Sequence, residues 1–246
     1  MVSVPLVTVL PFVVVLIAGF MTGMTGFGFS VLAVPLLVLT YSPHDVVIIV
    51  LCLVPVTSVA LLLAPHLRGR VNVRLSSGLS ALSVVGLPIG VWLFRRYDPA
   101  VLTVLMGAVI LGFAVFNLYS AQEWRLPRSL VIPSGILGGL LATSTGLSGP
   151  AVAMYVHGRR LDHDQLVATM ATYVGVVSLL GLGWLGVQGQ VTSAALVGVL
   201  PLVPTSLIGV ALGCWWSKKN HRAIERVALQ ALGAMGLWTL VRAFFG

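Results

Sequence analysis

Thr143-Ser144-Thr145-Gly146-Leu147-Ser148-Gly149-Pro150 interrupts an apolar stretch that runs from Leu130 to Val156. After the interruption only Ala151 to Val156 remain before His157, Arg159 and Arg160. A helix that crosses a hydrocarbon core needs about 20 apolar residues, so this remnant is too short to span. The stretch 130–156 therefore reads as a re-entrant hairpin made of a broken helix. Irregular backbone at membrane depth is tolerated only where it is buried in protein or lines a wet cavity. Gly23-Met24-Thr25-Gly26-Phe27-Gly28 interrupts the apolar stretch 5–41 in the same manner, and by analogy it reads as a second hairpin.

Outward from the two interruptions, six segments read as complete spans: 45–64, 75–94, 99–119, 165–187, 194–216 and 223–245. They are bounded by Arg68, Arg74, Asp98, Arg125, Asp164, Lys218 and Glu225. Composition agrees. Of 246 residues, 58% are hydrophobic and 8% charged, with mean hydropathy +1.07, whereas a soluble domain carries about 25% charged residues. The expected class is an all-α polytopic membrane protein. No basic residue precedes the first apolar segment and no small-residue cleavage site follows it, so that segment is expected to stay in the mature chain. Cys52 and Cys214 lie within apolar segments, where cysteine behaves as a small hydrophobe, and no disulfide is expected.

The net charge of +8 reads as topology rather than as a nucleic-acid surface, because cytoplasmic loops collect Lys and Arg. If both interrupted stretches crossed fully, the 14 basic residues would divide almost evenly between the two faces. If both turn back, one face holds Arg68, Arg70, Arg74, Arg125, Arg128, Arg159, Arg160, Lys218, Lys219, Arg222 and Arg226, and the other only Arg95, Arg96 and Arg242. The second arrangement satisfies the positive-inside rule. It places both termini extracytoplasmic and the basic loops in the cytoplasm. The expected location is an inner or plasma membrane, taken as a bacterial inner membrane.

The halves resemble each other at an offset of about 120 residues. Ala18-Gly19 through Thr25-Gly26 aligns with Gly138-Gly139 through Thr145-Gly146, and Ile89-Gly90-Val91 with Ile208-Gly209-Val210, each of the latter pair followed by two basic residues. The expected halves are 1–122 and 123–246, each one hairpin plus three spans. Three is odd, so the second half enters the membrane inverted, as in many secondary transporters.

The six acids (Asp45, Asp98, Glu123, Asp162, Asp164, Glu225) and the five histidines (His44, His66, His157, His163, His221) fall at expected helix ends or loops. With no ionisable group clearly at depth, no metal-ligand spacing and no nucleophile–base pair, the chain reads as a transporter without a metal or cofactor, not an enzyme. What stands at depth is backbone, glycine and hydroxyl. A helix that begins at mid-membrane presents unpaired N–H groups and the positive end of its dipole, which suits an anion. The candidate binding residues are Thr25, Gly26, Gly28, Phe29 and Ser30 at one tip, and Thr145, Gly146, Ser148, Gly149 and Pro150 at the other. Ser148 is expected as an N-cap, with Pro150 in the first turn. Thr57, Ser58, Thr172 and Ser178 are candidate lining from neighbouring spans. Plainer readings stand beside these. Gly19-x3-Gly23 and Gly135-x3-Gly139 suit close helix packing, the tip residues suit a tight turn, the span hydroxyls suit a bond to the carbonyl one turn back, and Trp215 and Trp216 suit interfacial anchoring.

With Gly19-x3-Gly23-x2-Gly26-x-Gly28 and Pro35 in one half, and Gly139-x6-Gly146-x2-Gly149-Pro150 and Tyr155 in the other, the sequence resembles the TauE/SafE sulfite exporter family over nearly its whole length. The Gly90 and Gly209 segments before basic loops fit as well. Phe27 and Phe29 stand where that family often has small residues. The resemblance implies transport of sulfite, thiosulfate or an organosulfonate, often outward, with the small anion and the bilayer as partners and no nucleic acid. A homodimer is left open. So are a passive anion channel and a non-transport membrane enzyme or assembly protein.

Overall fold

The computed structural model describes residues 4–119, 127–159, 161–191 and 193–217. The span expected at 223–245 lies outside them, as do Glu123, Arg125, Arg160, Lys218, Lys219, His221, Arg222, Glu225, Arg226 and Arg242. All regular structure among the described residues is helical. In chain order the helices are α1 (Val4–Thr25), α2 (Gly28–Leu37), α3 (Pro43–Leu62), α4 (Val73–Arg96) and α5 (Pro99–Tyr119). A 3-10 turn at Arg128–Leu130 then leads into α6 (Val131–Thr145), α7 (Gly149–His157), α8 (His163–Val187), α9 (Ser193–Val199) and α10 (Leu202–Ser217).

Pro43–Leu62, Val73–Arg96, His163–Val187 and Ala195–Ser217 are long and apolar enough to cross a membrane. Three of them coincide with expected spans to within two residues at each end. The fourth, expected as one span over 194–216, is divided into α9 and α10 by a turn at Leu200 and Pro201. Proline has no N–H to give to the preceding turn, and its ring crowds that turn's carbonyl. Pro55 and Pro88, by contrast, stand inside α3 and α4 without ending them. The starts of three long helices carry the side-chain caps that helix ends require. Ser42 accepts from the Asp45 N–H (3.2 Å), Asn72 from Leu75 (3.1 Å) and Asp162 from Gln165 (2.8 Å).

Packing follows the glycines. α1 lies along α10, α4 along α6, and α3 along α8. A Cβ built on Gly23 would stand 2.5 Å from the Val210 carbonyl oxygen and 2.9 Å from the Gly213 Cα, and one on Gly213 would meet the Phe20 carbonyl. On the other pair, a Cβ on Gly139 would stand 2.7 Å from the Ser83 carbonyl carbon, and one on Gly86 would run into the backbone of Ile136. Such backbone-to-backbone approach is what small residues at spacing four permit in membrane helices. The packing reading of Gly19-x3-Gly23 and Gly135-x3-Gly139 holds.

Polar contacts tie the two ends of the bundle. At one end Arg70 pairs with Asp162 at 3.3 Å, and the Asn72 N–H donates to Thr169 Oγ1 at 3.0 Å. The ion pair is exposed and contributes little to stability. At the other end His44 Nε2 lies 3.0 Å from the Phe94 carbonyl. Arg95 donates there to Gln188 Oε1 at 3.1 Å. Between these ends, every buried polar side chain except tyrosine is a serine or threonine among the described residues.

Candidate functional site

Both helix breaks turn on a glycine in the left-handed region, Gly26 at φ +83° and Gly146 at φ +76°. That region is open to glycine without a Cβ penalty, and the two positions stand at the repeat interval seen in the sequence. Before the first break the Gly26 N–H still reaches back to the Thr22 carbonyl (2.8 Å), and before the second the Gly146 N–H reaches Ala142 (3.1 Å). The chain then starts a second, shorter helix. α2 and α7 have 10 and 9 residues, about 15 Å or less at 1.5 Å per residue, half a hydrocarbon core. α2 packs on α1 and α7 on α6.

Each break is seated on a span of the other half of the chain. A Cβ on Gly26 would stand 2.5 Å from the Val167 carbonyl oxygen of α8. One on Gly146 would stand 3.7 Å from the Val47 Cα of α3. Val47 and Val167 are themselves one repeat interval apart. The breaks also meet each other, since a Cβ on Gly149 at the start of α7 would stand 3.1 Å from Phe27 Cδ2 and 3.2 Å from Phe27 Cβ. The Phe27 ring lies edge-on to Phe113 (centroids 5.9 Å apart) and His157 (6.2 Å). It thus occupies the ground between the two short helices. Arg159, just beyond α7, lies 4.4 Å over the Tyr155 ring and donates to its hydroxyl.

Gly26, Gly28, Phe29 and Ser30 at the first break and Gly146, Ser148, Gly149 and Pro150 at the second are all buried, and the two breaks touch through Phe27 and Gly149. Thr25, half-buried, is engaged in the turn, where its hydroxyl donates to the Met21 carbonyl (2.9 Å) and accepts from the Gly28 N–H (3.1 Å). Thr145 bonds the Leu141 carbonyl at 2.8 Å. Ser148 occupies the N-cap position but forms no side-chain cap, which corrects the capping role expected for it. Capping needs an extended backbone to turn the side chain over the first amides, and Ser148 sits at φ −66°, ψ −28°. The first turn of α7 is therefore left without a side-chain cap from its own N-cap residue.

The span hydroxyls lie on α3 and α8, the helices on which the breaks are seated, and Gly181, one turn beyond Ser178, meets Thr143 of the second break segment. Thr57 and Ser58 lie ten and eleven residues beyond Val47 on α3, and Thr172 and Ser178 five and eleven beyond Val167 on α8. At 1.5 Å per residue, Ser58 and Ser178 are about 16 Å along their helices from the residues that touch the breaks. Thr57 bonds the Leu53 and Val54 carbonyls, and Thr172 the Ala168 carbonyl, as the plainer reading holds. Ser58 and Ser178 are buried with no hydrogen-bond partner, and Ser58 packs against Gly175. Sequence reasoning missed one polar cluster altogether. Ser83 Oγ lies 2.8 Å from the Gly135 carbonyl and 2.9 Å from the Tyr173 hydroxyl, joining α4, α6 and α8. Those residues are distant in sequence, and no spacing rule pairs them.

Membrane-length helices packed through glycine, around two broken helices that meet inside them, define a multi-pass membrane protein. The chain belongs to the sulfite exporter TauE/SafE family, whose model matches residues 11–239 and so covers both breaks. The family is one of membrane transporters, and transporter is the class assigned here. No curated protein and no solved structure matches the chain.

Proposed function

We propose that the protein is a secondary transporter that carries a small sulfur oxyanion or organosulfonate, such as sulfite, outward across the bacterial inner membrane. The solute is held by Ser30, Ser148 and Gly149 through hydroxyls and peptide N–H groups at the two helix breaks. The N–H groups of Gly26 and Gly28 are taken up by the Thr22 carbonyl and the Thr25 hydroxyl, so these glycines shape the turns with Phe29, Gly146 and Pro150. The halves 1–122 and 123–246 form an inverted repeat, each a re-entrant hairpin followed by three spans, with both termini extracytoplasmic. Alternating access proceeds by rocking one half against the other around the paired tips.

The observation that carries this reading is the contact of Phe27 with Gly149, which puts the starts of α2 and α7 side by side in a buried place. Helix starts present unpaired amides and a partial positive charge, and a small oxyanion offers acceptors to both. Exchange of the halves also preserves the packing scheme. α1 on α10 becomes α6 on α4, α3 on α10 becomes α8 on α4, and α3 on α8 maps onto itself.

The test is sulfite flux in proteoliposomes. Accumulation against a gradient under an imposed ion or proton gradient is expected, and purely downhill flux points instead to a channel on the same tips. Cysteine-accessibility labelling should place residues 5 and 41 on the same face of the membrane. Labelling from opposite faces would overturn the hairpin architecture.

A further inference from the structure

A second polar feature lies away from the breaks, between the C-terminal ends of α4 and α8. Pro88, Val91, Trp92, Arg95 and Arg96 of α4 and Trp184, with the adjoining Gln188, line a cavity of about 450 Å³. Arg95 is fixed there by its hydrogen bond to Gln188 Oε1, and Arg96 faces the same space. Two helix C-termini end at this place, and their carbonyls by themselves repel an anion. Any anion preference therefore rests on the two guanidiniums, each a planar array of donors matched to phosphate oxygens.

The remaining walls are apolar and continue along the membrane-facing sides of both helices. Trp92 is 58% exposed and Trp184 41%, and one to two turns deeper Val85, Ile89 and Leu180 are exposed too. Indoles at a helix end mark the headgroup level of a bilayer. Cationic groups at that level above an apolar groove fit a headgroup with its chains attached, whereas a free oxyanion gains nothing from the groove. We propose that this cavity binds the phosphodiester of an anionic phospholipid, held by Arg95 and Arg96, with an acyl chain lying along the exposed Ile89 of α4 and Leu180 of α8. The proposal is independent of what the helix breaks carry.

Native mass spectrometry of the full chain in neutral detergent tests it, titrating phosphatidylglycerol against phosphatidylcholine of the same chains. Wild type should retain phosphatidylglycerol at lower lipid concentration. The Arg95→Gln/Arg96→Gln variant should lose that preference, weakening retention about tenfold or more, as expected when hydrogen bonds to a charged group are removed. Trp184→Ala, which removes an apolar wall of the cavity while leaving both arginines in place, should weaken retention too, and decides the matter if the double variant does not fold. Equal retention of the two lipids by wild type, or undiminished preference in a folded variant, would overturn the proposal. Thermal protection by inorganic phosphate alone, equal to that by phosphatidylglycerol and lost in the double variant, would overturn the lipid assignment in favour of a free-oxyanion site.

Discussion

Gly149→Ala separates the proposed solute site from ordinary packing. The new methyl would stand 3.1 Å from Phe27 Cδ2, 3.2 Å from Phe27 Cβ and 3.4 Å from the Phe27 carbonyl oxygen. These contacts are tight but not prohibitive, and the Phe27 ring is held on its other sides by Phe113 and His157. Overpacking of this kind costs about 1 kcal/mol, the low end of its range. Gly149 has an ordinary helical backbone, since it is not among the glycines with positive φ. Alanine is favoured there by up to about 1 kcal/mol, so the terms nearly cancel and the unfolding temperature should hardly move. Transport should not escape so lightly. Displacing one amide from a charged solute forfeits about 1.5–3 kcal/mol, which corresponds to roughly 10- to 100-fold in flux. Sulfite efflux from proteoliposomes and thermal unfolding of the same preparation measure both quantities. Phe27→Leu, which removes the obstructing ring, should restore part of the flux in the double variant, a coupling read from the double-mutant cycle. The reasoning fails if Gly149→Ala transports at the wild-type rate, or if its loss of flux merely tracks loss of folded protein.

Gly139→Ala drives a methyl to 2.7 and 2.8 Å from the Ser83 backbone, which cannot yield as a side chain can. Destabilisation near the upper end for overpacking, about 3 kcal/mol, should appear as lower yield and a lower unfolding temperature. Tyr173→Phe removes one partner of Ser83, whose hydroxyl keeps the Leu79 and Gly135 carbonyls within reach. A loss of about 1 kcal/mol of stability, with sulfite affinity unchanged, should follow in unfolding and flux assays. Ser178→Ala deletes a buried hydroxyl that has no partner, so unfolding should occur at the same or a higher temperature. Thr57→Ala, which breaks bonds to Leu53 and Val54, should not show this gain.

The helices were legible because apolar length in a chain with few charges admits little else. The breaks were legible because glycine clusters at both, Pro150 stands at the second, and too few apolar residues follow that one. Gly19-x3-Gly23 and Gly135-x3-Gly139 announced close packing, although nothing in their spacing named the partner helix. Pro201 was harder. Pro55, Pro88 and Pro201 all lie in apolar runs, and only the last coincides with a turn, a difference that the apolar pattern around them does not signal. The side-chain role of Ser148 was misjudged because residue type and position suggest a cap, while the local φ and ψ decide whether the hydroxyl can reach. Ser83 and Tyr173 were invisible for a different reason, as their contact exists only once α4 and α8 are placed side by side.

The character of the site bears on which solute form it carries. A buried Lys or Arg would have to be desolvated each time the carrier returns empty, at a cost of several kcal/mol. Between the bundle ends, the buried hydrogen-bonding side chains among the described residues are hydroxyls. Two helix starts supply about half an elementary charge each, spread over fixed amides, so together they match one negative charge and leave a second uncompensated. A singly charged solute should therefore be carried in preference to the doubly charged one. Sulfite gains a proton as pH falls, so its flux at constant total concentration should rise toward acid pH and follow the solute's own titration. Benzenesulfonate keeps a single charge throughout and should show no such rise, which separates solute protonation from titration of the protein. A sulfite flux that increases with pH, or equal acid activation of both solutes, would mean that the charge balance is set by a group other than the paired helix starts.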